Sequence, residues 1–275
     1  MKIRAGYRIA FEVEQTATML LMLTTRWERH GDLLTPEFMT VEPFAPIHQF
    51  SDLYGNLCTR VVAPPGRITF SSDFLVNDTG LPDPVLPGAV QHPIENLPDE
   101  VLVYLLASRY CDTQVLMETA WRLFGQTAPG WGRVQAIVDY AHERVAFDYA
   151  HARPTRTASE AHDERVGVCR DYAHLAITLC RCMNIPARYC TGYLGDIGIP
   201  PIDAPMDFSA WFQVYLEGAW RTFDARHNKP RIGRILIAVG RDATDVAIST
   251  SFGNTELVEF TVMTEEVRRA ETNAA

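Results

Sequence analysis

The sequence has no apolar run long enough to cross a bilayer. Its longest, such as Met19 to Leu23 and Val101 to Leu106, fall far short of the roughly 20 residues that a spanning helix needs, so no membrane partner is expected. An excess of positive charge is also missing. Lys and Arg number 25 against 34 Asp and Glu, a formal charge of −9, which offers no basic footprint to phosphate backbones or anionic lipid and makes nucleic acid an unexpected partner. No GxGxxG follows a strand, and no GxxxxGK followed by Ser or Thr occurs, so neither nucleotide-cradling mechanism is available. There is no DxDxDG calcium loop and no paired CxxC spacing for zinc. No cofactor and no metal are therefore expected. The first residues lack an apolar stretch with a cleavage site, which makes cytoplasmic residence the default expectation. Nothing in the sequence fixes an oligomeric state.

What is present is an ordinary globular composition. A chain of 275 residues with 47% hydrophobic and 21% charged residues can bury one large core or two modest ones. Cys58, Cys111, Cys169, Cys180, Cys182 and Cys190 are even in number but lack paired spacing, and a chain of this size does not need staples. In a chain of this size most of them are small core hydrophobes in a reducing compartment.

From Met1 to Val13, residues of one parity are apolar and most of the other parity are charged, the pattern of a long half-buried strand. Further strands are predicted at Thr18 to Leu23, Leu57 to Ala63 and Arg67 to Val76, so residues 1–76 read as an antiparallel β domain. Residues 77–98 carry Pro82, Pro84, Pro87, Pro93 and Pro98 and read as a connection. Helices are predicted at Asp99 to Tyr110, from an Asp112 or Thr113 cap to Phe124, at Arg133 to Val145 and at Cys169 to Met183. Strands follow at Ala187 to Tyr193, Ala210 to Leu216, Trp220 to Asp224, Arg234 to Val239 and Leu257 to Met263. Helices followed by an antiparallel meander predict an α+β class for residues 99–275, with helices packed on an antiparallel sheet.

Cys169 stands apart from the other thiols because Gly167 and Val168 lead it into a helix. A thiol in the first turn lies near unpaired backbone N–H groups and the positive end of the helix dipole, both of which favour thiolate. The same amides suit an oxyanion formed at an attacked carbonyl. Spacing alone leaves two readings open, a nucleophile or a core thiol packed between helix and sheet.

GVCRDYAHLAITLCRCMNIPARYCTGY resembles the nucleophile segment of the transglutaminase-like superfamily, in its bacterial cysteine peptidase branch with an N-terminal β domain. SAWFQVYLEGAWRTFDARHN resembles that family's second segment, in which a histidine precedes AW and an aspartate closes the next strand. The resemblance implies a papain-like core, with Cys169 as nucleophile and Asp224 as the carboxylate that orients a base. It places the base at Ser209, and a serine hydroxyl does not titrate in the range where imidazole carries protons.

His227, three residues beyond Asp224 near a strand end, is a candidate substitute base. His174 lies five residues after Cys169, about 500° of helix, so roughly 140° away on its surface, and is expected to pack or to donate to backbone. Arg170, Trp211 and Tyr193 are candidates for the wall of a cleft, although a tryptophan on a strand more often ends in the core and a guanidinium more often pairs internally. The expected activity is amide or peptide hydrolysis or acyl transfer through a thioester on Cys169, with a peptide or protein substrate. The alternative is a catalytically weak or inactive protein, a pseudoenzyme that keeps the groove for a peptide or protein partner, because Ser209 occupies the histidine position.

Overall fold

A computed structural model describes residues 1–200 and 206–267. Residues 268–275, which the sequence assigns to the second domain, lie outside the described residues. The first 77 residues hold β1 (Lys2–Val13), β2 (Ala17–Leu21), β3 (Thr40–Glu42), β4 (Ile47–Ser51), β5 (Leu57–Ala63) and β6 (Gly66–Asn77). The middle of the chain holds α1 (Asp99–Leu102), α2 (Thr113–Phe124), α3 (Trp131–Arg144), β7 (Ala146–Phe147), α4 (Ala158–Glu164), β8 (Val166–Gly167) and α5 (Cys169–Cys182). The remaining strands are β9 (Ala187–Tyr193), β10 (Ser209–Leu216), β11 (Ala219–Phe223), β12 (Ile235–Gly240), β13 (Ser249–Phe252) and β14 (Thr255–Glu266). The class is α+β, with a helical core packed on sheet and preceded by antiparallel strands.

Alternation builds β1 as the sequence predicts, with Ile3, Ala5, Tyr7, Ile9, Phe11 and Val13 all buried. Its partners are less local. β1 lies between β14 and β6 in a sheet of order β14-β1-β6-β3, and β2 lies between β13 and β5 in a second sheet of order β13-β2-β5-β4. The last two strands thus leave the core to which the sequence assigns them and complete the N-terminal sheets, pairing Ile3 with Glu266 and Thr18 with Phe252. Strand alternation reports a face and carries no information about which edge a strand will join. β3, β4, β7, β8 and β13 have no strand prediction behind them. The whole of β4 is exposed, so it shows no buried parity to read.

The helical layer also departs from expectation in two places. The helix predicted to reach Tyr110 stops as α1 and a 3-10 turn ending at Leu105. Arg181 from α5 donates to Leu106 O at 3.0 Å, a carbonyl that a continuing helix would have used, and to Ser108 Oγ at 3.2 Å. Asp112 precedes α2 without capping it. Its carboxylate instead accepts from the Ser159 N–H at 3.1 Å and from the Ser159 hydroxyl, at the start of α4. By contrast α3 buries the predicted stripe of Val134, Ile137, Val138 and Ala141.

α5 is the centre of the second unit. It packs on β9 and β10 and against α2, α3 and α4, which is why every residue from Asp171 to Cys182 is buried. The underlying sheet has the order β11-β10-β9-β12, with a Glu217–Gly218 turn whose two positive φ angles, 51° and 72°, suit the twist of a tight hairpin. No helix among the described residues is long and apolar enough to cross a membrane. All six cysteines are free.

Candidate active site

Cys169 is the first residue of α5, and its entry is held by one buried carboxylate. Asp171, fully buried, accepts from the Val168 N–H at 2.9 Å and from Arg156 Nη1 at 3.0 Å. A side chain at Gly167 would stand 2.7 Å from the Asp171 Cβ, so glycine lets the strand-to-helix turn close over that carboxylate. The cysteine thiol is thereby aimed out of the helix start toward β10.

A cavity of about 110 Å3 opens there, and its walls include Cys169, Tyr149, Asp207, Ser209, Arg226 and His227. A larger trough of about 350 Å3 meets it at Cys169, Asp207 and Phe208. Burial raises the Cys169 thiol above its ordinary value, outweighing the Arg226 charge and the backbone N–H groups of Ala210 and Arg170 that favour thiolate. The sequence predicts a helix-start bias toward thiolate, and desolvation overturns it. Asp207 is likewise raised by burial, against the Phe208 N–H bond and Arg226.

On the far side of the cavity, Asp224 at the end of β11 gathers three donors. The His227 N–H donates to Oδ1 at 2.9 Å, His227 Nδ1 donates to Oδ2 at 2.9 Å and Arg234 Nη2 donates to Oδ2 at 2.9 Å. Burial opposes its charge, yet Arg234 and the His227 bonds hold the carboxyl far below the usual carboxylate range. Arg234 is tied in turn to Asp83 at 2.9 Å, so the Pro-rich connection anchors the site from behind. A carboxylate only accepts, so His227 Nδ1 carries a proton, and in the neutral imidazole Nε2 is the nitrogen left to accept one.

Ser209, Cys169 and His227 therefore share one cavity, with Asp224 directly behind His227. The other candidates go elsewhere. Trp211, 2% exposed, packs with Cys190 and Val239 beneath Arg234, and Tyr193, 0% exposed, packs between Phe74 and Phe208. Both are core residues, because their strand parity faces the packed layers and leaves no surface for a cleft. Arg170 borders the trough, but its guanidinium donates to the carbonyls of Arg153 and Pro154. His174 is buried between Tyr110 and Tyr189, and its Nε2 accepts from the Ala243 N–H at 3.1 Å. It packs, one of the two roles expected, and accepts from backbone where the other had it donate.

Among the cavity residues with no prediction behind them are Tyr149, Asp207 and Arg226. Arg226 stacks on Phe147 with its guanidinium carbon 3.8 Å from the ring centre. The available signal was adjacency, since Asp207 immediately precedes Phe208 and Ser209, and Arg226 immediately precedes His227. Among the described residues no group of three or more His, Cys, Asp or Glu side chains could hold a metal ion.

The model of the transglutaminase-like superfamily matches residues 119–225, a span that includes Cys169, Ser209 and Asp224. A crystal structure from Cytophaga hutchinsonii named as that of a "Putative Cysteine Protease" is similar over 99% of this chain and 92% of that one, at 29% identity and a TM-score of 0.83. An uncharacterized protein of Mycobacterium leprae is 38% identical over 87 residues, 30% of each chain, so the match spans less than a third of that relative. An uncharacterized protein of Mycobacterium tuberculosis is 27% identical over 230 residues, 76% of this chain and 73% of that protein. The chain thus has a transglutaminase-like, papain-like fold with an N-terminal β domain, and carries a cysteine at the head of its central helix.

Proposed function

We propose that the chain is a cysteine-dependent amide or peptide hydrolase or acyl transferase, with His227 serving where the family pattern has a histidine at residue 209. The observation that carries this reading is that Cys169 and His227 line one small cavity while Asp224 holds His227 Nδ1. Because the thiol is raised, its proton is taken during attack and not beforehand. Cys169 Sγ bonds to the substrate carbonyl carbon as His227 Nε2 accepts the thiol proton, and the Cys169 N–H at the helix start meets the oxyanion. Collapse breaks the C–N bond, and His227 returns the proton to the leaving amine. Water or an amine then displaces sulfur from the thioester, its proton passing through His227 to restore the thiol.

A second reading, a catalytically weak protein that binds a peptide or protein, is favoured by Ser209 and by the raised thiol. Release of ammonia from blocked peptide amides separates the two. Under the first reading the wild type turns over, Cys169→Ala abolishes turnover and His227→Gln lowers it by about 10² to 10⁴. A wild type without turnover that gains it on Ser209→His supports the second reading. Turnover unchanged in Cys169→Ala sinks both.

A further inference from the structure

The two hollows that meet at Cys169 differ in chemistry. The trough wall includes Pro154, Tyr189, Ala243, Val246, Ala247 and Ile248, while the small cavity gathers Asp196, Asp207, Arg226, His227 and Arg231. Among the described residues His227 lines the small cavity and not the trough. A general acid must reach the nitrogen that departs, so the leaving amine lies on the His227 side and the acyl half of the substrate lies across Cys169, in the trough.

We infer that the substrate is a peptide or amide whose acyl residue is aliphatic or aromatic and whose leaving amine is small or polar. The inference rests on the acyl-transfer reading for its direction. The trough is not a general peptide channel, because the charged groups at its edge are already engaged. Arg170 donates to the Arg153 and Pro154 carbonyls, and Arg153 pairs with Glu160 and Glu164, each at 2.9 Å. Among the described residues an acidic acyl residue finds no free guanidinium in the trough, whereas an apolar one gains burial. Burying one leucine or phenylalanine side chain corresponds to about ten- to a hundredfold in efficiency.

The test is a series of blocked dipeptide amides differing only in the acyl residue, Leu, Phe, Gly or Asp, with ammonia release followed at several concentrations. The expected result is kcat/KM for Leu and Phe at least tenfold above Gly, with Asp lowest. Ala247→Phe, which fills the trough, should collapse the Leu to Gly ratio mainly through KM, and Ala243→Leu supplies the same readout if the first variant does not fold. Equal efficiency across the series, or a ratio that survives both fillings, overturns the inference. If no amide is turned over, binding of dansylated Leu and Asp dipeptide amides to Cys169→Ala by fluorescence anisotropy decides it. Tighter binding of Leu upholds the trough while the enzyme reading fails, and equal or absent binding overturns the trough.

Discussion

Cys169 and Asp171 lie two residues apart in one helical turn and differ in their partners. Burial pushes the thiol toward its neutral form against the Arg226 guanidinium. The carboxylate, at zero exposure, is paired with Arg156 and accepts a backbone N–H. Removing one member of such a pair strands the other. Asp171→Ala should therefore cost about 3–5 kcal/mol, measured by denaturant unfolding, whereas a surface change such as Asp163→Ala should cost well under 1 kcal/mol. His174 gives a second consequence. Burial pushes its imidazole down from the ordinary 6.5 to about 3, with Asp242 opposing and Arg170 and Arg181 adding to the effect. The folded state keeps this histidine neutral while the unfolded state binds a proton below pH 6.5, so stability is lost as pH falls. From pH 6.5 to about pH 5 the loss is about 2 kcal/mol. His174→Gln, which retains an acceptor for the Ala243 N–H, should flatten the stability profile across that window. An unchanged slope would contradict the assignment.

The helix α5 and the pair β9–β12 set the position of the thiol relative to the cavity. A Cβ on Gly192 would lie 2.1 Å from Ile235 O and 2.9 Å from the Trp211 ring, and a backbone oxygen cannot rotate away. Gly192→Ala should split the β9–β12 edge, lower the thermal midpoint by several degrees and weaken activity through displacement of β10. A melting curve that matches the wild type would show that the sheet tolerates the spread. The helix itself was legible because its apolar residues recur at helical spacing and Asn184, Ile185 and Pro186 end it. Its depth was not. A stripe on one side predicts one packed face, yet α5 is covered all round because three helices and two strands converge on it. The truncated helix after Asp99 has the same origin, since Arg181, 75 residues further on, claims the Leu106 carbonyl.

The chain closes on itself across its full length. β13 and β14 complete the two N-terminal sheets, with β14 covering β1 from Val13 to Ile3. Deleting residues 249–275 should therefore unfold the N-terminal sheets even though it leaves residues 1–77 untouched. The check is loss of a cooperative thermal transition together with rapid proteolysis near β1 and β2. A stable, cooperatively melting truncated protein would mean that the first 77 residues suffice. The connection from residue 77 to 98 acts at the same range. Asp83 pairs with Arg234 and accepts from the Arg231 N–H at 2.9 Å, coupling the seam between the units to the Asp224–His227 pair.

Periodicity, turn residues and two quoted segments were enough to predict the α+β class, β1, α3, α5 and the position of Cys169 at a helix start, because each is encoded in neighbouring residues. The shortfall at Ser209 was equally visible in the sequence. Three-dimensional packing decided the rest. It buried Trp211 and Tyr193, turned His174 into an acceptor and raised the thiol, since desolvation depends on everything that surrounds a group. It also carried the last strands back to the first sheets and set His227, held by Asp224, on the wall of the cavity that Cys169 lines, because sheet edges and cavities are made between segments that are far apart in the chain.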